Sequence, residues 1–158
     1  MIEVVYRREV PFSRTRVLSQ YFDLEHLEHV HPRSFGQARM VSQVGRLIVW
    51  ELEWPRVLGV RGLRSVFHQQ YVPPWGIRAV ITRGLLRGTE TEVRLEETHS
   101  GTLVEESHRI AMPGWKGLRP LVQRAWIRRL DRIWDEDLRV GVCHGGWPGV
   151  PLLESRLP

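Results

Sequence analysis

The chain has one cysteine, Cys143, and one lysine, Lys116, among its 158 residues. A single cysteine excludes an internal disulfide. It also excludes an iron–sulfur cluster or a cysteine-based zinc site built from this chain alone. Long apolar runs are missing too: the longest is about Leu47 to Trp50, far short of the roughly 20 residues a membrane-spanning helix needs. Met1 to Arg8 lacks a basic start followed by an apolar stretch, so it does not read as a secretory signal. There is no nucleophile elbow, and Gly114-Trp115-Lys116-Gly117 lacks the rest of a phosphate-binding loop. These absences predict a cytoplasmic protein that does not engage membranes.

Apolar residues make up 42% and charged residues 26%, the balance of a globular domain, and the length suffices for one sizeable core. The net charge of +5 is almost wholly arginine. The arginines are scattered, and the densest group, Arg124, Arg128, Arg129 and Arg132, reads as the solvated face of a helix. With no recognition motif beside them, nucleic acid is not an expected partner.

Residues 2 to 10 alternate as a strand that ends at Pro11. Ser13 suits the N-cap of a short helix whose stripe is Val17, Leu18, Tyr21 and Phe22. A second short helix begins near Asp23 and stops before Pro32, which disfavours helical backbone at His31. The middle of the chain reads as about six strands: 41–44, 47–54, 63–72, 77–83, 91–97 and 102–111. In the second of these Ile48, Trp50, Leu52 and Trp54 share one face. A long helix then runs from Trp115 to about Val142, with Leu118, Val122, Trp126, Leu130 and Ile133 on its apolar side. Residues 1–144 thus form one α+β domain, and the Gly/Pro-rich residues 145–158 form an extended tail.

A curved antiparallel sheet has a face to cover, and a long amphipathic helix can cover it. The order strand, two short helices, six strands, long helix resembles the helix-grip fold of the START-type (SRPBCC) superfamily over residues 2 to 142. That resemblance implies a pocket between sheet and helix. Trp50, Trp126, Leu130 and Ile133 are the expected pocket or core residues, and His68 and His108 are the candidate polar groups on its strands.

Three of the seven histidines, His26, His29 and His31, lie within six residues. Imidazole is a common ligand for Fe and Zn. The spacing Asp23-x-x-His26-x-x-x-x-His31 resembles the iron-site signature of the catalytic domain of Rieske non-haem iron ring-hydroxylating oxygenases, which also have the helix-grip fold. The resemblance implies His26 and His31 as metal ligands, with Asp23 as the residue that links the site to a neighbouring cluster. Residues five apart on a regular helix point about 140° from each other, so His31 must leave the helix, as Pro32 allows. His29, at i+3 from His26, is the alternative ligand.

Asp137 lies seven residues after Leu130, which returns it to within about 20° of the same direction. A carboxylate on that apolar side needs a partner. In the resembled family the third iron ligand is an aspartate on the C-terminal helix, in a stretch similar to Trp134 to Val140. His26, His31 and Asp137 would then hold Fe(II), or alternatively Zn, with positions left open for a substrate and O₂. The chain lacks a Rieske domain, and Gln20 replaces the asparagine often found before the aspartate. Oxygenase chemistry would therefore need an external electron donor. The expected substrate is a small hydrophobic or aromatic molecule. The alternatives are a non-catalytic START-type carrier and a metal-free cyclase or dehydratase of the same fold that uses His68 or His108.

Overall fold

Alternation builds the first strand, β1 (Ile2–Val10): Ile2, Val4, Tyr6 and Val10 are buried, while residues between them reach solvent. The computed structural model describes residues 1–55, 60–112 and 116–140. After β1 come two one-sided helices, α1 (Arg14–Gln20) and α2 (Leu24–Val30). Six further strands follow: β2 (Gln37–Val44), β3 (Leu47–Glu53), β4 (Arg64–Val72), β5 (Gly76–Gly84), β6 (Glu90–Glu97) and β7 (Thr102–Ile110). A 3-10 turn at Lys116–Leu118 leads into α3 (Arg119–Val140). The expected tail at 145–158, with Cys143 and His144, lies outside the described residues.

The seven strands form one antiparallel curved sheet in the order β1-β7-β6-β5-β4-β3-β2. It is a meander whose last strand returns to the first. β2 starts earlier than its apolar residues suggest, with a bulge between Met40 and Ser42, and it lies mostly exposed at the sheet edge. A two-residue turn joins β2 to β3, and Gly45 adopts φ +58° there, a left-handed conformation that glycine takes without strain.

α3 covers the concave side. Leu130, Trp134 and Asp137 are buried on it, at the spacing of one helical face, while Arg124, Arg128 and Arg132 are exposed. Two expectations need correction. Leu118 is exposed, because the 3-10 turn precedes the helix and breaks its phase. Arg129 is only partly exposed and turns inward, not to solvent with its neighbours. On the outer face, arginines pair with carboxylates: Arg7 with Glu105, Arg78 with Glu92, Arg109 with Glu90 and Arg64 with Glu53. These exposed pairs contribute little stability, but they break up what would otherwise be a basic surface. Among the described residues no helix is long and apolar enough to cross a membrane.

Candidate functional site

Two local signals place the histidines. Asp23 caps α2: its Oδ1 accepts a hydrogen bond from His26 N at 2.9 Å, which fixes His26 in the first turn. Burial raises the Asp23 carboxyl above its ordinary value, although the bond from His26 N works against that. At the other end His31 leaves the helix with φ −117° and ψ 45°, as the residue before Pro32 must. Asp23→Ala is expected to cost about 1 kcal/mol, the usual effect of a lost cap. Urea unfolding reads that cost, and an unchanged midpoint would show that the cap is not what holds α2.

The bend brings His26 and His31 together, with ring centroids 5.0 Å apart. Both turn to one atom on α3. His26 Nε2 lies 2.8 Å from Asp137 Oδ1, and His31 Nε2 lies 2.9 Å from the same oxygen. All three side chains are buried. His31 Nδ1 lies 2.8 Å from Glu136 Oε2, so Glu136, one residue before Asp137 on α3, also reaches the cluster. Burial works against a charged His31, but the bonds and charges of Asp137 and Glu136 outweigh it and raise its pKa. Burial would likewise raise the Asp137 carboxyl, yet the bonds from His26 and His31 bring it below its ordinary value. The Gln20 side-chain amide lies 3.4 Å from His26 Nε2. His29 does not join the cluster: it is exposed and its Nδ1 bonds to Glu25 O at 2.8 Å, a correction to its standing as alternative ligand.

The donor set suits a divalent transition metal. The candidate ligand atoms of His26, His31 and Asp137 all lie within 4.8 Å of one another. Two ligands about 2.1 Å from one ion at neighbouring octahedral corners are about 3 Å apart, close to the two separations seen here. His31 also lies between two acceptor-only carboxylates. It must therefore donate from both ring nitrogens, unless a cation stands between Nε2 and Asp137. The Glu136 contact to Nδ1 is of the kind that would orient the imidazole if Nε2 held a metal.

The cluster opens onto a cavity of about 150 Å³ between the sheet and α3. Trp50, Trp54, Phe67, Trp126, Leu130 and Ile133 line it. Trp50 stacks on Phe67 at 4.2 Å, and Trp54 Nε1 donates to Ser65 Oγ at 2.8 Å. His68 lies on the exposed face of β4 and does not line the cavity. The pairing of Trp50 with Phe67 turns the odd-numbered residues of β4 inward.

His108 does line the cavity, and beside it is a carboxylate that the sequence reading passed over. Glu106 accepts from Tyr21 Oη at 2.9 Å, from Trp134 Nε1 at 3.1 Å and from His108 Nε2 at 3.1 Å. Thr91 Oγ1 lies 3.0 Å from His108 Nδ1. Burial would raise the Glu106 carboxyl, but the bonds from His108, Trp134 and Tyr21 more than offset it and hold it below the ordinary value of 4.5. A depressed carboxyl stabilises the fold above its ordinary pKa, and that contribution is lost as the pH falls through the lower, folded value. The stability gap between the protein and Glu106→Gln is therefore expected to be wide at about pH 7 and to narrow towards about pH 3. Denaturant unfolding at both pH values checks this, and a gap that does not change with pH would contradict it. The signal for Glu106 was available: it alternates with Val104 and Ile110 on the inward face of β7.

No protein-family model and no curated protein sequence matches the chain, but solved structures do. TTHA0849 from Thermus thermophilus superposes with a TM-score of 0.72 at 20% identity, covering 85% of this chain and 92% of that one. The di-domain aromatase/cyclase StfQ of the steffimycin biosynthetic pathway has a TM-score of 0.72 at 12% identity, over 89% of this chain and 52% of StfQ. A START superfamily protein from Mycobacterium smegmatis has a TM-score of 0.66 at 16% identity, over 86% and 94% of the two chains. At these identities the likeness is one of fold, and the fold is the helix grip. The oxygenase side of the sequence resemblance gains no support from these neighbours.

Proposed function

We propose that the protein binds a small hydrophobic or aromatic molecule in the cavity between the sheet and α3. The wall supports this most: aromatic rings from β3, β4 and α3 surround an apolar space, and a few polar groups converge on it. An apolar cavity of this size takes up a benzene-sized molecule. Nitrobenzene, neutral and flat, is a suitable probe for calorimetric titration. Saturable binding is expected in the protein, with about tenfold loss or more in Ala79→Phe, which fills the space from β5. Undiminished binding in that variant, or none in the protein, would defeat the reading.

A second reading rests on a separate observation, the convergence of two imidazoles and a carboxylate at the cavity edge. In this reading His26, His31 and Asp137 hold one divalent transition metal, Fe(II) or Zn(II). Bound there, iron would supply oxygen activation and zinc an activated water. The chain's own residues would orient the ligand set through Glu136, exclude water with the aromatic wall and hold the substrate's apolar body. Oxygenase chemistry would draw electrons from an external donor, since the single cysteine cannot furnish a cluster in this chain. Metal analysis of purified protein, before and after anaerobic loading, tests the assignment: near-stoichiometric metal supports it. If no metal is retained, the proton-handling pair the cavity offers is Glu106 and His108. The function is then that of a carrier, or of a metal-free cyclase or dehydratase.

A further inference from the structure

Arg129 is set apart from the ion-paired arginines of this protein by its place at the cavity wall. Arg7, Arg8, Arg14, Arg39, Arg64, Arg78 and Arg109 each pair with a carboxylate. Arg129 lies at the cavity wall and, among the described residues, forms no ion pair. Its Cζ lies 4.7 Å from the ring centroid of Phe35, 5.0 Å from Trp54 and 5.2 Å from Trp126. Among the described residues only one of its five N–H donors finds an acceptor: Nη2 donates to Ser34 O at 2.9 Å. The rings stabilise the faces of the guanidinium but offer nothing to its N–H edge. Trp126 adds a further donor, since its Nε1 is buried without a partner among the same residues.

Burial pushes Arg129 down to about 10, a value that still leaves it charged at neutral pH. Glu106 acts on it through space, but that carboxylate already receives bonds from Tyr21, Trp134 and His108. The wall therefore holds a partly buried cation without a carboxylate partner and a buried, unpartnered indole N–H, and no acceptor among the described residues satisfies the rest of their donors.

We propose that the cavity is a site for a small organic carboxylate, whose anionic end docks on Arg129 and whose apolar body fills the space beside it. The inference rests on the cavity-binding reading above and names the class of ligand. A planar carboxylate matches the fork of a guanidinium with two parallel hydrogen bonds. One guanidinium close to Glu106 suits a single negative charge and opposes a phosphate dianion. The narrow apolar wall excludes a large polar partner. His31 and Arg129 both lie against Phe35, with the His31 and Phe35 centroids 6.2 Å apart, so the anionic end faces the histidine side of the cavity.

Benzoate and nitrobenzene have the same shape and differ in charge, which makes them the test pair. Each is titrated into the protein, Arg129→Met and Arg129→Lys, with and without EDTA. In the protein, benzoate is expected to bind saturably. In Arg129→Met its affinity falls about tenfold to a hundredfold, with nitrobenzene binding changed less than about twofold, as loss of a charge-assisted contact requires. Arg129→Lys retains part of the benzoate affinity. Nitrobenzene binding without benzoate binding overturns the carboxylate inference and leaves the cavity reading standing. Equal loss of both ligands in Arg129→Met makes Arg129 a wall residue and overturns the inference. So does a benzoate preference that survives Arg129→Met and disappears with EDTA, which belongs to a metal. If neither probe binds, the cavity reading falls and takes the inference with it.

Discussion

Asp137→Ala is expected to lower the affinity for Fe(II) or Zn(II) on the order of 100-fold or more, the largest single effect foreseen. Asp137 supplies the only charged atom of the candidate ligand set, and one of its oxygens faces both imidazoles at 2.8 and 2.9 Å. His31→Ala should act as strongly, because His31 is the buried residue through which Glu136 reaches the cluster. Glu136→Gln should cost about tenfold, the effect of loosening an outer hydrogen bond. His29→Ala should change nothing, since that side chain is exposed and bonded to its own helix. Without metal, Asp137→Ala leaves two buried imidazoles without their shared acceptor. His31 can shed its proton, so the loss should stop at about 2 kcal/mol. Metal-binding titrations over the four variants give a rank order. Loss in His29→Ala with retention in His31→Ala would show that the wrong pair has been assigned.

The second large effect is on stability. Trp50→Ala is expected to cost about 3–5 kcal/mol, the range for a buried tryptophan reduced to a methyl group. Trp50 is 4% exposed, stacks on Phe67 with an interplanar angle of 13°, and donates from Nε1 to Gln69 Oε1 at 3.2 Å. Gln69 in turn donates to Tyr21 O, which ties β4 to the end of α1. Removing the indole therefore opens a hole and strands a buried amide oxygen. For a chain of this length the melting point should fall on the order of 10 °C. Trp50→Phe should recover much of the loss, because it restores a ring against Phe67. A loss under about 1 kcal/mol in Trp50→Ala would mean that this wall is loosely packed.

How legible these features were depends on whether period or register decides them. Asp137 was readable because a helix repeats every 3.6 residues: seven steps from Leu130 return to the same face, and the carboxylate is there, 4% exposed. The bend at His31 was readable because Pro32 restricts its neighbour. Arg129 yields to the same angular argument, three residues after Trp126 and one before Leu130, although charge alone groups it with Arg128 and Arg132. Glu106 falls on the inward face of β7 by alternation, but what marks it, the convergence of Tyr21, Trp134 and His108, comes from three different elements. His68 could not be settled from the sequence. Both faces of β4 carry apolar residues, Val66 and Val72 on one and Phe67 and Tyr71 on the other. Only the pairing of Trp50 with Phe67 decides which face turns inward. Short turns account for the β2–β3, β4–β5 and β6–β7 pairs, whereas the β1–β7 pairing joins the two ends of the sheet across the sequence and the cavity depends on how closely α3 approaches the sheet, a packing distance no local pattern encodes.

The indole N–H resonances in a nitrogen–proton correlation spectrum test the central claim, ligand binding in this cavity, most directly. Trp50, Trp54, Trp126 and Trp134 line the cavity, whereas Trp75 lies in a separate groove under Arg14, 4.2 Å from its Cζ. On titration with nitrobenzene, the four cavity indoles should shift together and saturate at one ligand per chain, with Trp75 unmoved. Shifts confined to Trp75, or no saturable shift in any of the four, would contradict a ligand site between the sheet and α3.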